Sequence, residues 1–410
     1  MILLQSIFVF LFFNTSQAQV MSTFMREQVG SLPQGRFMIS MVSVQSSFDQ
    51  MFNRQGVKES LSQNFKQNIS FQKISNEEPI RGNQLAGLFL SNNIALSDSA
   101  GDVSGSVNGT ISGKIPVIGY GISDDLGIFF ALPVIEFNLN ASYQFQKSPV
   151  TQGFLNQLRD SDQQSVAQDF EVALHTSLEN KLYKSNYDWN SSLHKTYLGD
   201  LQINLLKALE KKSDFKSQVQ PYFIIPTSND QDLRDLYGLH AGDHRFGLGV
   251  KYSAQHQFFG SLQFNAGVSA TFLFPSEQGR RLPKDSNDQL NEYLDSHVWV
   301  TGGMSYRSQV QIRYPFPKWL GLNLGVDWQQ RFQDSFSGSA FNLENYQMAE
   351  SKTGSSLLSS YASIDLNSIQ SFLSGGFIFP AIAELGVGIP LLGKNAISEP
   401  VIQLQGSMFF

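Results

Sequence analysis

Ser261-Leu-Gln-Phe-Asn-Ala-Gly-Val-Ser-Ala-Thr-Phe-Leu-Phe274 alternates with a period of two. Leu262, Phe264, Ala266, Val268, Ala270, Phe272 and Phe274 fall on one side; Ser261, Gln263, Asn265, Gly267, Ser269 and Thr271 fall on the other. Successive side chains of a strand point to opposite faces, so this strand has one greasy face and one wet face. A soluble sandwich alternates too, but its strands usually run about five or six residues. A strand that crosses a bilayer needs ~9–11.

The same pattern recurs on both sides of this stretch. Phe246, Leu248, Val250 and Tyr252 alternate with Gly247, Gly249, Lys251 and Ser253. Leu320, Leu322, Leu324, Val326 and Trp328 alternate with Gly321, Asn323, Gly325, Asp327 and Gln329, and Val310, Ile312 and Tyr314 with Gln309, Gln311 and Arg313. Ile402, Leu404, Met408 and Phe410 stand against Gln403, Gln405 and Ser407. Twelve candidate strands emerge: 36–48, 106–122, 126–145, 198–209, 215–226, 244–256, 259–274, 295–315, 319–333, 358–379, 381–390 and 398–410. An even count suits a bacterial single-chain barrel. Short connections alternate with long ones at 49–105, 146–197, 227–243, 275–294 and 334–357, as short periplasmic turns alternate with longer outer loops. The expected fold is all-β: a transmembrane antiparallel up-and-down β-barrel of about 12 strands, with some helix in its extracellular loops.

Composition excludes several alternatives. Of 410 residues, 16% are charged, while 34 are Phe and 33 Gly. A net charge of −6 argues against a nucleic-acid partner, which calls for a basic excess. The absence of cysteine removes thiol catalysis, thiolate metal sites, disulfides and a lipoprotein anchor. Past residue 18 no window of ~20 residues is cleanly apolar, so a membrane helix is a poor reading.

Met1–Phe13 is an almost unbroken apolar run, followed by Ser16 and Ala18 as small residues before a cleavage point. Residues 1–18 are therefore expected to be a cleaved export signal, although no Lys or Arg precedes the run. An uncleaved anchor is the rival reading, and the run is short for spanning. Residues 19–35 then form a periplasmic segment or a small plug, and 36–410 the outer-membrane barrel. Phe410 ends an alternating strand and resembles the terminal aromatic read by the barrel-assembly machinery.

Several short phrases carry a family resemblance. They are Leu32-Pro33-x-Gly35-Arg36, Phe48-Asp49-x-x-Phe52, Gly119-Tyr120-Gly121-Ile122-Ser123-Asp124-Asp125-Leu126-Gly127 with Leu132-Pro133, Leu198-Gly199-Asp200-Leu201, and Pro221 through Pro226-Thr227. In this order they resemble the outer-membrane barrels of the MetA phenol-degradation-pathway family, distant relatives of long-chain fatty-acid and aromatic-hydrocarbon transporters. The resemblance implies a barrel that passes small, often hydrophobic molecules. The insert at 146–197 departs from the family's compactness and leaves the ligand open.

With the apolar sides facing lipid, the lumen is expected to receive Lys114, Glu136, Asp200, Lys251, Arg307, Arg313, Asp327, Arg331 and Asp365. Unpaired charges are costly in a low dielectric, so such groups pair. They form either an electrostatic constriction that selects solutes or a salt-bridge ladder that stiffens a narrow barrel. In the insert, Val166, Phe170, Leu174, Leu178 and Leu182 recur every four residues on one helical face. That face either captures hydrophobic ligands at the mouth or packs on loop 49–105 through Met51, Phe52, Leu61 and Phe65.

Pro116, Pro133 and Pro221 interrupt strands; they are read as strand ends near the periplasmic rim, or, as the resemblance to fatty-acid transporters implies, as kinks that open the wall laterally. His240 and His244 flank Gly242-Asp243, and His175 lies two residues before Ser177; neither group supports a catalytic or metal centre. The expectation is a channel or passive transporter, not an enzyme, without cofactor, for small hydrophobic or amphipathic solutes. Its surroundings would be outer-membrane lipid and lipopolysaccharide. A surface-interaction barrel is the alternative.

Overall fold

The computed structural model describes residues 32–410 apart from 62–66, 78–81, 162, 173–182, 184–185, 189–191, 213, 230–231, 236–237, 259–261, 287–292, 317–318, 375 and 377. The expected export signal, 1–18, and residues 19–31 lie outside these.

Twelve antiparallel strands form the wall. They are β1 (Phe37–Ser47), β2 (Ser99–Ser123), β3 (Leu126–Ala131 and Val134–Lys147), β4 (Ser192–Leu198 and Leu201–Lys211), β5 (Phe215–Ile225) and β6 (Gly247–Gln257), then β7 (Gln263–Leu273), β8 (Ser305–Pro315), β9 (Leu320–Arg331), β10 (Ser355–Asn367), β11 (Ala381–Lys394) and β12 (Val401–Phe409). Each pairs with its neighbours in chain order, and β1 closes the cylinder by pairing with both β2 and β12. At the seam Phe37 and Phe410 exchange backbone hydrogen bonds of 3.1 and 2.9 Å, and inside it the Ser407 hydroxyl donates to Ser40 Oγ at 2.8 Å. Closure removes the edges that an open sheet would expose to hydrocarbon.

The alternation now has a direction. Ile39, Ile118, Phe130, Phe223, Val250, Val268, Ile312, Leu324, Ile364, Val387 and Leu404 project outward and form an apolar band. Aromatic rings border the band. Phe37 packs on Tyr120 (4.8 Å) and Tyr314 on Phe316 (5.0 Å) at the end with short turns, and Tyr306 packs on Trp328 (5.4 Å) at the other. Such girdles sit at the two membrane–water interfaces.

The twelve-strand expectation holds, with three differences. First, 295–315 is two strands. Gly302 and Gly303 take φ of +87° and +78°, and the chain turns there. Tyr293–Thr301 leaves the wall and joins Ser276–Leu282 and Ser335–Ser337 in a separate three-stranded sheet. A helix (Leu343–Glu350) covers that sheet over a small core of Leu282, Val298, Val300, Phe336, Tyr346 and Ala349. The loops expected at 275–294 and 334–357 thus contain an ordered outer module. Second, 358–379 ends as a strand at Asn367, and a short helix (Ile369–Leu373) follows. Third, the expected loop 49–105 holds strands, two helices (Phe71–Glu77 and Gly82–Ser91) and the outer end of β2.

That end of β2 rises beyond the wall with the outer halves of β3 and β4. Both neighbouring strands break at the same level, β3 at Leu132-Pro133 and β4 at Gly199-Asp200, where the Gly199 N–H donates to Pro133 O at 2.7 Å. Pro133 therefore marks a kink in mid-strand rather than a periplasmic end. Pro221 also lies within a strand, opposite Val250.

Candidate channel lumen

Inward positions of β8 to β10 carry most of the expected charges, and they stand in three tiers. Nearest the short turns, the Arg313 guanidinium donates to both Asp365 oxygens at 2.8 and 2.7 Å. Asn323 adds a bond to the same carboxylate at 2.9 Å and one to Ser363 at 3.1 Å, and Ser363 donates to Glu384 at 2.5 Å. Gly321 makes room for this fork: a Cβ there would lie 2.5 Å from Arg313 Nε and Asp365 Oδ1. In the middle tier Arg307 Nε donates to Asp327 at 2.5 Å, and Gln329 donates to its other oxygen at 2.6 Å. Arg307 is 19% exposed, against 6% for Arg313.

The outer tier joins wall to loops. Arg331 donates to both Asp243 oxygens at 2.9 and 3.2 Å and to Asp334 at 3.1 Å, while Arg245 reaches Asp334 at 3.0 Å. Both guanidiniums are 1% exposed. A Cβ on Gly303 would collide with the Arg245 guanidinium, so the turn that releases Tyr293–Thr301 also seats this pair. Burial raises the Asp243 carboxyl, but the Arg331 and Arg245 cations outweigh it and hold it below the usual carboxylate range. Burial lowers the neighbouring His240, and it lowers Arg280 to about 10. Buried pairs of this kind offset their desolvation only with good geometry and further hydrogen bonds, which two-oxygen contacts supply.

Asp200 is inward by parity but acts as a bracket. Its carboxylate accepts the backbone N–H of Ser228 (3.1 Å), Asp243 (2.8 Å) and His244 (3.2 Å), tying the β5–β6 loop to the wall. His240 bonds Gly238 O and His244 bonds Ser228 O, so the two histidines hold backbone while Asp243 holds Arg331. Lys251 faces inward on β6, in register with Gln220 and Ser269.

Lys114 and Glu136 do not enter the lumen. Lys114 pairs with Ser43, on the outward side of β1 with Phe37, Ile39 and Met41, and is itself exposed. Glu136 pairs with Ser112 on the same outer face and accepts from Asn138 at 3.3 Å. The reason is a reversal in what the outside meets. Along β2 the outward residues are Ile118 and Tyr120 below and Ser112, Asn108, Ser106 and Ser104 above. Below this level the wall faces lipid, and above it water. The inward face of the raised portion is apolar instead, with Val103, Val107, Ile111, Phe137, Leu139 and Tyr197 buried.

This apolar inner face is roofed by the outer helices. Phe89 lies at the centre of an aromatic cluster, 4.7 Å from Phe71, 5.5 Å from Phe154 and 5.7 Å from Phe170. Phe154 comes from a helix (Pro149–Asp160) capped by Ser148, and Phe170 from the helix described over 164–172. Phe170 is buried against loop 49–105, where Phe52 and Leu61 belong to the same core. Val166 is partly exposed, and Leu174 and Leu178 lie outside the described residues. Outside this core Glu171 accepts from Lys147 and from Arg159 at 2.6 Å, and the Lys147 bond, more than the Arg159 one, keeps its carboxyl low.

A closed wall with a lipid-facing band, aromatic girdles and a polar, charge-paired interior defines an outer-membrane-type β-barrel. No family model matches the chain, and no curated protein does. Solved structures do. The COG4313 outer membrane channel from Pseudomonas putida F1 is 12% identical, with a TM-score of 0.51 over 95% of this chain and 100% of that one. The Ralstonia pickettii toluene transporter TbuX is 8% identical, with a TM-score of 0.36 over 92% of this chain and 90% of that one. The CymD monoaromatic hydrocarbon channel is 7% identical, with a TM-score of 0.35 over 92% and 89%. At these identities the likeness is one of fold.

Proposed function

We propose that the protein is an outer-membrane channel or passive transporter for small hydrophobic or amphipathic molecules. The observation that carries this reading is the wall itself. It dissolves in lipid on one side and along β8 to β10 presents a polar surface on the other, with the cations Arg307, Arg313 and Arg331 each matched to a carboxylate. The fold likeness to a structure described as an outer membrane channel supports it. In this reading residues 1–18 direct export and are removed, the loops 49–105 and 146–197 gather the solute at the mouth, and its gradient drives passage without a cofactor. Phe410 is the contact for the assembly machinery, and lipopolysaccharide surrounds the outer rim.

The test uses purified protein in planar bilayers and in liposomes loaded with labelled aromatics or fatty acids. Steady single-channel steps or solute flux above protein-free vesicles is the expected result. If neither ions nor labelled solutes cross, the reading fails. The ordered outer module favours a second reading, a barrel that binds a partner at the surface. Its sheet exposes Trp299 and Leu294 to solvent. Undiminished cell-surface adhesion in a Trp299→Ala, Leu294→Ser variant would count against it.

A further inference from the structure

Residues 367–380, Asn-Ser-Ile-Gln-Ser-Phe-Leu-Ser-Gly-Gly-Phe-Ile-Phe-Pro, connect β10 to β11 at the end with short turns and contain no charged residue. Two other turns at that end are built differently. At Ser123–Leu126, Asp125 binds Lys207 and Ser123, and Lys211 donates to Asp124 O. Lys212 pairs with Glu210 in the next. The 367–380 turn instead exposes large apolar groups: Phe372, Phe379, Leu373 at 77% and Ile378 at 91%.

The turn is anchored where it leaves and rejoins the wall. The Asn367 N–H donates to Trp319 O at 2.8 Å, the Ser368 N–H to Ala381 O at 2.9 Å, and the Ser368 hydroxyl to Phe379 O at 3.0 Å. The Phe372 N–H donates to Ser368 O at 2.7 Å and starts the short helix. The described parts of the turn that carry Phe372 and Phe379 are thus tied to the wall. An exposed apolar cluster on such an uncharged support marks an interaction surface.

The wall identifies the occupant. Directly beside the turn, Leu366, Ile364, Trp319 and Phe316 belong to the outward, lipid-facing band. The exposed apolar surface of the turn continues that band past its aromatic girdle. Apolar and aromatic side chains on a short amphipathic support bind at the boundary of headgroups and acyl chains. We infer that the 367–380 turn is a lipid anchor: Phe372, Leu373, Ile378 and Phe379 embed in the inner leaflet of the outer membrane. The charged turns on the opposite side of the rim stay in water. The occupant is phospholipid rather than a periplasmic protein, because the surface is continuous with lipid and carries no charge to orient a protein partner.

The chain has no cysteine, so one introduced thiol is a unique label site. Leu373→Cys, Ile378→Cys and Lys212→Cys variants carry a nitroxide in nanodiscs of phosphatidylethanolamine and phosphatidylglycerol. Labels at 373 and 378 should be relaxed by oxygen in preference to a water-soluble nickel chelate, with an oxygen-to-nickel ratio several-fold above that at 212. Equal ratios at all three sites would overturn the inference. So would nickel access at 373 and 378 that disappears only when periplasmic proteins are added. Barrel folding of each variant is checked by heat-dependent gel mobility, and Phe379→Cys replaces any variant that misfolds. The outcome is independent of whether the barrel transports anything.

Discussion

Ser43 and Lys114 stand opposite each other on the outer surface of the first two wall strands, at the level where that surface stops being apolar. Toward the short turns their faces continue as Met41, Ile39 and Phe37 and as Ile118 and Tyr120. Away from them the faces are Gln45 and Ser47 and Ser112 and Thr110. The pair fixes the edge of the hydrocarbon on this side of the barrel.

This edge sets the response to new outward charges. Leu324→Arg, midway between Trp319 and Trp328 on β9, should destabilise the barrel by about 2–4 kcal/mol, while Ser106→Arg above the edge should change it by about 0–1 kcal/mol. Urea unfolding in lipid vesicles measures both.

The Arg313–Asp365 fork is buried and bonded through both oxygens. Arg313→Ala should cost about 3–5 kcal/mol by stranding Asp365, whereas the paired change Arg313→Met, Asp365→Leu should recover most of that. A double-mutant cycle in the same unfolding assay gives the coupling.

Acid should loosen the outer tier in two stages. Burial holds His240 neutral in the fold, so its contribution is complete above the unfolded value of about 6.5 and declines as pH falls through it. Burial opposes the ionised Asp243, but Arg331 and Arg245 depress it, so its contribution persists above the ordinary carboxylate range and is lost as pH falls through its lowered value. Protection factors across 238–245, taken against the intrinsic exchange rate at each pH, should fall between pH 7 and 5 and again in stronger acid. His240→Gln should remove only the first stage.

Phe89→Ala removes the centre of the aromatic cluster and should destabilise the outer roof by about 3–5 kcal/mol. Limited proteolysis should then cut 49–98 and 148–172 faster, with wall strands unaffected.

Much of this architecture is legible in the sequence, because a barrel wall must alternate and a pattern such as Leu320 to Gln329 admits few other structures. The tiers follow from parity, and Arg307, Arg313, Asp327, Arg331 and Asp365 lie where the alternation places them. Parity does not reveal what the outside touches. The strands carrying Lys114 and Glu136 pass from lipid to water without a break in their period, and the same outward face changes from apolar to polar. The strand at 295–315 is a related case. Two alternating segments abut, and only Gly302-Gly303 signals that the first has left the wall. Arg245 and Asp334 were invisible as partners because they lie 89 residues apart in separate loops outside the alternating strands.

The seam between Phe37 and Phe410 joins chain positions that are as remote in order of synthesis as any in the wall. No cylinder exists until Val401–Phe409 has arrived, and every earlier stage carries two bare strand edges. The circumference is therefore completed only when the last strand meets the first, so every residue of the wall depends on the final segment of the chain for its closed surroundings.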